Sequence, residues 1–487
     1  MVKHAQSVTG GKKALLIPAS LLLLLASSIP LRATPQADRR PHPETAPSLA
    51  SGESGSPELP GPTDGGRPGS TPSNRMETTQ LVRQVAIRAA SQAEPVVSLD
   101  ELIREALANN PQIQAARRMV DAKRFQIQPA RTLPDPVIGF QTMGNLIPPT
   151  LQSGDPSSAR TISITQPIPF PGKLALKGKM AAMAADAERW QYEQVRREVI
   201  AQVKTTYYQL YYVTKAIDIV KKDKDLLEKF ERIAEAKYQV GEGIQQDVLK
   251  AQVEISRLLD RLTVLEERRD ALVAQLNSLL YRPPEAPLGR PAEIRQAEFR
   301  YSMDQLYRMA LTRFPLLKRQ QREIDRHEYA VQLAKKNFYP DFEVGFRYFN
   351  RTPMPEMYEL MFKAKVPLYF WRKQRPALHS AASELASARK RYDQLTALLY
   401  FQLKDRYLAA TTAARLVELY GTAIVPQATL ALESSVAAYQ VGKVDFLTLL
   451  NNLITLLDYE LKYYESLAEY QKALAELEPF VGIELTR

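Results

Sequence analysis

The side chains that could do chemistry are few, and their placement argues against a catalytic centre. The 487 residues include no cysteine, which excludes thiolate metal sites, disulfides, thiol catalysis and lipid attachment through an N-terminal Cys. Only four histidines are present. His327 and His379 fall in helical runs, where packing or solvation is the ordinary role, and no glycine-rich phosphate loop accompanies them. Met354, Met357 and Met361 have the chemistry of a soft-metal site, but the first two fall in an outer loop and packing accounts for them. No catalytic residue, metal ligand or cofactor site is assigned.

What the chain does pattern is charge along two short segments. In one, Phe342, Val344, Phe346 and Tyr348 alternate with Glu343, Gly345 and Arg347; in the next, Tyr358, Leu360, Phe362, Ala364 and Val366 alternate with Glu359, Met361, Lys363 and Lys365. A period of two is that of a β-strand with one apolar and one charged face. Ile162, Ile164 and Ile168 alternate with Thr161, Ser163 and Thr165 in the same way, and Val137 to Met143 does so less clearly. Such strands suit a soluble sheet with its charged face in bulk water, or a membrane barrel with its charged face lining a wet lumen. Four strands of this length are too few to close a barrel, and an open edge in hydrocarbon leaves backbone groups unsatisfied. A membrane reading therefore requires several chains to pool their strands.

The elements that position these strands are long and duplicated. Ser302 follows Ser98 by 204 residues; each opens a capping box, with Glu101 and Gln305 three residues on. Leu102, Ala106, Leu107 and Pro111 recur as Leu306, Ala310, Leu311 and Pro315. Each half then breaks at a Pro-Asp step, Pro134-Asp135 and Pro340-Asp341, and enters its strands. Beyond the strands lie Gln166 to Lys173 and Val366 to Lys373, whose aromatics and lysines suit a membrane–water boundary. Helical runs follow from Ala175 to Gln239 and from about Gln374 to Gln440, the second interrupted at Pro426. Both end in the same four letters, Tyr238 to Gly241 and Tyr439 to Gly442, the tips of antiparallel hairpins with Gly in the left-handed conformation. On the return, Val248, Ala251, Ile255, Leu258 and Leu262 in one half, and Phe446, Leu449, Leu453 and Leu456 in the other, keep the spacings of three and four of a coiled-coil seam.

The organisation that follows is a signal peptide over 1–28, with Lys3, Lys12 and Lys13 before an apolar stretch from Ala14 to Leu25. A Pro-, Ser- and Gly-rich segment over 29–97 has too little apolar surface to order. The first repeat half spans 98–290, with its tip at 238–247, and the second spans 291–487, with its tip at 439–451. The fold class is mostly α with a small membrane β part. A formal charge of +11 would suit a nucleic-acid binder, but Lys and Arg are mixed with Asp and Glu along helix faces, so no nucleic-acid partner is expected.

In order along the chain, the capping boxes, the Asn110-Pro111 step, the paired strands, the Gln166 to Lys173 turn and both tips resemble the TolC-like outer-membrane efflux family over about Ser98 to Leu485. The resemblance implies a homotrimer in which three chains pool four strands each into one twelve-stranded barrel, with a helical tunnel in the periplasm. It implies partners too: a periplasmic adaptor, an inner-membrane pump of the resistance-nodulation-division class, and outer-membrane lipid. Gly241 and Gly442 match the adaptor-docking positions, with Tyr238, Val240 and Val441 beside them. Asp247 and Tyr439 match two members of a gating latch. The latch arginine is replaced by Val444, flanked by Lys443 and Asp445, so a pair between Asp247 and Lys443 is the expectation. Two acidic positions at the family's entrance are here Thr448 and Asn451. Glu343, Arg347, Glu359, Lys363 and Lys365 become barrel-lumen residues. The implied function is a passive exit duct for heavy-metal cations, to which the Phe170 to Lys173 form of the turn points by its resemblance to metal-efflux members, or for small toxic compounds. The alternative is an exported soluble coiled-coil scaffold or adaptor.

Overall fold

The first described element pairs with a segment far along the chain. In the computed structural model, which describes residues 95–144, 151, 155, 157–351 and 354–486, strand β1 (Val96–Val97) pairs in parallel with β4 (Arg290–Pro291). The expected disorder over 29–97 is thereby corrected at its last two residues: their hydrogen bonds go to a segment almost 200 residues away, which composition cannot report. The remainder of that segment, and the signal peptide at 1–28, lie outside the described residues.

Each half opens with a capped helix pair. Helices α1 (Leu99–Asn109), α2 (Pro111–Phe125) and α3 (Ile127–Arg131) precede strands β2 (Val137–Met143) and β3 (Ala159–Ile168). Helix α4 (Lys173–Gln239) and α5 (Gln245–Leu280) form the first hairpin. After β4, helices α6 (Met303–Arg313) and α7 (Pro315–Lys336) lead into β5 (Asp341–Asn350) and β6 (Met357–Lys365). The second hairpin then follows as α8 (Gln374–Leu419), α9 (Val425–Gln440) and α10 (Phe446–Val481). Of the two expected capping boxes, the one at Ser302 is complete, with Gln305 returning a bond to the Ser302 N–H. At Ser98 the side chain accepts from the Glu101 N–H at 3.3 Å.

Helix α4 has 67 residues, roughly 100 Å at 1.5 Å per residue. Nothing in the sequence from Lys173 to Gln239 is Pro, and its single internal Gly178 is packed against Arg131. Its counterpart is interrupted as Pro426 requires: a π-helical turn, Tyr420–Ile424, joins α8 to α9. Proline lacks the N–H that would continue the ladder, and one wide turn absorbs the mismatch. The seams are where the spacing places them. Ala251, Leu258, Leu262, Leu272 and Leu276 of α5 and Phe446, Leu449, Leu453 and Leu456 of α10 are all buried in one core cluster with α4.

Four strands form one antiparallel sheet in the order β2-β3-β5-β6, which leaves one edge of β2 and one of β6 unpaired. Direct partners share a face. Ile138 opposes Ile164 and Phe140 opposes Ile162, Ile164 opposes Phe346, and Phe346 opposes Leu360. The middle of that face is apolar and exposed, with Ile138, Phe140, Ile162, Ile164, Phe346 and Leu360 all open to the outside. Among the described residues no helix is long and apolar enough to cross a membrane.

The two halves are riveted together beside the sheet. Lys173 is buried: its Nζ donates to Asp341 Oδ1 at 2.8 Å and to the Tyr339 carbonyl at 3.3 Å. Asp341 also accepts the Phe170 N–H, while Phe170 stacks on Tyr339 with centroids 4.6 Å apart. Pairing a buried ammonium with a carboxylate offsets the loss of its hydration. Tyr369, Phe370 and Trp371 of the other turn do remain exposed.

Candidate functional site

The hairpin tips are built by one motif used twice. Gly241 and Gly442 have φ of 79° and 72°. At the first tip the Gly241 N–H donates to the Tyr238 carbonyl and the Glu242 N–H to that of Lys237; at the second, Gly442 donates to Tyr439 and Lys443 to Ala438. This 5→2 and 6→1 pair is the Schellman arrangement, which satisfies the last carbonyls of a helix and requires a left-handed residue next to the cap. A Cβ built on either glycine meets nothing within 4 Å, so conformation rather than crowding selects glycine here.

Although the letters repeat, the side chains do not play equivalent parts. Tyr238 is 46% exposed whereas Tyr439 is 6% exposed. Tyr439 packs edge-on against the buried Phe446, centroids 5.8 Å apart. Lys237, from the first tip, donates to the Tyr439 carbonyl at 2.9 Å and sits 4.2 Å from the centre of its ring. One chain's two tips are thus clipped to each other, a contact that sequence pattern did not signal. Val240 and Val441, 71% and 67% exposed, are left as apolar points at the two ends.

Past the tips, the returning helices bring Asp247 and Asp445 together. Asp247 lies in the first turn of α5 and Asp445 is the N-cap of α10, positions where helix dipoles favour a carboxylate. Partial burial, and then the charge of Asp445, push the Asp247 pKa up, with Lys250 pulling the other way. Burial followed by the Asp247 charge raises the Tyr439 phenol as well. Lys443 is exposed and makes no ion pair with Asp247 within the described residues. Within the chain it is Asp445, not Lys443, whose charge acts on Asp247. Thr448 donates to Asp445 Oδ1, and Asn451 is exposed on the next turn.

At the other end of the long helices, the second face of the sheet gathers the strand charges. Glu343 faces Lys363 and Arg347 faces Glu359, with N···O separations of 3.0 and 3.4 Å, and Asp341 opposes Lys365. All five charged residues expected on a wet wall, Glu343, Arg347, Glu359, Lys363 and Lys365, share this face by register. Met361 lies between the charged rungs, its methyl over Gly345, and Met357 starts β6.

A carboxylate that sequence reasoning missed sits on α4, in the part nearer the tip. Asp223 is 3% exposed, and one of its oxygens has no hydrogen-bond partner among the described residues. Burial first, and then Glu460 of α10, push its pKa up to about 6, with Lys222 opposing. Asp223 lies on the long helix, far in sequence from Glu460, so no local pattern links the two.

Comparison with known proteins agrees with this architecture. The profile of the outer membrane efflux protein family matches residues 102–280 and 306–482, one segment in each half. The cobalt-zinc-cadmium resistance protein CzcC of Cupriavidus metallidurans is 21% identical over 399 residues, covering 79% of this chain and 90% of CzcC. Among solved structures, CusC, whose crystal structures concern transmembrane channel formation, is similar with a TM-score of 0.68 at 15% identity over 80% of this chain and 92% of CusC. The open state of the MtrE outer membrane channel of Neisseria gonorrhoeae is similar with a TM-score of 0.67 at 16% identity, covering 81% of this chain and 95% of MtrE.

Proposed function

This chain belongs to the outer membrane efflux protein family, and from that premise we propose that it works as the homotrimeric exit duct of a tripartite efflux system. The family's members are channels rather than enzymes, seated in the outer membrane with their helices in the periplasm, which sets aside the soluble-scaffold alternative. The observation that carries the trimer is the sheet. Its apolar face is exposed on all four strands, and β2 and β6 each present an unpaired edge. Hydrocarbon tolerates such a face but not such edges. Three copies joined β6 to β2 would leave no edge and close a twelve-stranded barrel.

In this reading the six tips of the trimer form the periplasmic mouth. Gly241 and Gly442 with Tyr238, Val240 and Val441 dock the adaptor, and Asp247, Tyr439, Lys443 and Asp445 surround the opening. An inner-membrane pump of the resistance-nodulation-division class supplies the cargo. CzcC is named for cobalt, zinc and cadmium resistance, and the cargo proposed here is accordingly divalent heavy-metal cations. Extraction and gel mobility test the assembly: a pooled barrel requires detergent and runs as a heat-modifiable trimer, whereas extraction in plain buffer as a monomer would contradict it. For the cargo, a deletion strain should lose tolerance to cobalt, zinc or cadmium salts. Unchanged metal tolerance with lost tolerance to organic toxicants would redirect the assignment.

A further inference from the structure

The charges of the sheet's polar face are matched one to one. Along β5 the sequence of charged positions on that face is Asp341, Glu343, Arg347; the residues directly opposite on β6 are Lys365, Lys363, Glu359. Every acid faces a base and every base an acid. Two of these rungs are closed ion pairs, at 3.0 and 3.4 Å. Between them the Gly345–Met361 rung is uncharged. On the same face, β2 and β3 contribute Gly139, Gln141, Thr161, Ser163 and Thr165, with no charge at all. The strand charges on this face therefore sum to zero and each closed rung is neutral by itself, while at the Asp341 rung Lys173 adds a further cation from the start of α4.

The closed pairs are about half exposed, and exposed pairs of this kind add little to stability. Their consequence lies in the field over the wall. A ring of unpaired charges, repeated threefold in a narrow lumen, would hold a potential within the screening length and favour ions of one sign. Pairing each charge with its cross-strand opposite removes that potential.

Resting on the proposal that three sheets close a shared barrel, we infer that Glu343, Lys363, Arg347 and Glu359 make the barrel indifferent to the sign of the solute's charge. Cations, anions and neutral molecules then pass with similar ease, and the barrel does not add a cation preference to whatever the pump delivers. Neutralising any one of the four leaves three uncompensated charges of one sign in the trimer, and Glu343 with Lys363, the shorter pair at 3.0 Å, is the one to test.

The test is the reversal potential of the purified full-length protein in a planar bilayer across a KCl gradient at low ionic strength. Glu343→Gln should shift the permeability ratio toward anions and Lys363→Gln toward cations, each by at least about twofold. The double variant Glu343→Gln/Lys363→Gln should return to the wild-type ratio. Single variants that leave the ratio unchanged, or that shift it in the same direction, would overturn the inference. Failure of the underlying channel reading is distinguishable, since the wild-type protein would then show no conductance whose selectivity could be measured.

Discussion

Lys237 and Tyr439 stand 202 residues apart in sequence and meet at the tips, the ammonium donating to the Tyr439 carbonyl at 2.9 Å with the ring 4.2 Å beneath it. The contact combines a charge-assisted hydrogen bond with a cation–π interaction, and it fastens the first hairpin to the second at the point farthest along both helices. Removing it should loosen the mouth. Lys237→Met is expected to raise resting single-channel conductance, with Lys237→Arg intermediate. Tyr439→Phe keeps both the carbonyl and the ring and should leave conductance close to wild type. Equal effects of Lys237→Met and Tyr439→Phe would mean that the phenol, not the clip, holds the tips.

Gly241 and Gly442 give a second prediction. Neither has a neighbour that a methyl group would strike, so Gly241→Ala or Gly442→Ala costs about 1–2 kcal/mol from the left-handed backbone alone. The loss should be local. Hydrogen exchange is expected to quicken near the substituted tip and adaptor capture to weaken, while the global melting temperature stays within about 2 °C. Asn at the same positions should cost less than Ala, because Asn tolerates this conformation.

Asp223 gives a pH dependence. Its pKa is about 6 in the folded chain against an ordinary 3.8, so between these values the folded state binds more protons than the unfolded one. The corresponding stability is present at low pH and is lost as pH rises from about 4 to 6. Above that range the ionised carboxylate, facing Glu460 on α10 with Lys222 as its nearby cation, lowers stability by up to about 3 kcal/mol. Asp223→Asn should therefore raise the melting temperature at pH 7.5 and flatten its change between pH 7.5 and 4.5. An unchanged pH profile would show that Asp223 is not the group responsible.

Lys204, 2% exposed, joins Glu478 with Nζ–O distances of 2.9 and 2.7 Å and also donates to Thr486. Glu478 accepts the Leu485 and Thr486 N–H groups in turn, which pins residues 482–486 onto α4. Lys204→Met should destabilise by about 3–5 kcal/mol, because it strands a buried carboxylate. Combining it with Glu478→Leu should restore much of that loss, and melting curves of the two variants make the comparison.

How much of this was legible in the sequence depended on the range of the interaction. Phe342 to Tyr348, Tyr358 to Val366 and the seams of α5 and α10 declare themselves, because an environment that differs between two faces imposes a period on neighbouring residues. Pro426 foretold an interruption and could not tell that a π-helical turn would absorb it. Asp247 was identified, but the approach of Asp445 was not, since it is set by how two helix starts converge. Lys173 with Asp341, Lys204 with Glu478, and Val96 with Arg290 were invisible for the same reason: each joins residues far apart that carry no shared pattern. The matched charges of β5 and β6 were visible as alternation, and became pairs only once the register was known.

The shared barrel itself is tested most directly at its seams. The natural chain has no cysteine, so introduced pairs report without background. Thr142→Cys or Phe140→Cys on the free edge of β2, combined with Tyr358→Cys or Leu360→Cys on that of β6, places both thiols on the same sheet face. If three chains close the barrel, oxidation of intact outer membranes should yield a covalent trimer for at least one pair, and each single-cysteine protein should remain a monomer on a denaturing gel. Only monomer with every pair, in membranes where the protein is present and folded, would contradict the barrel.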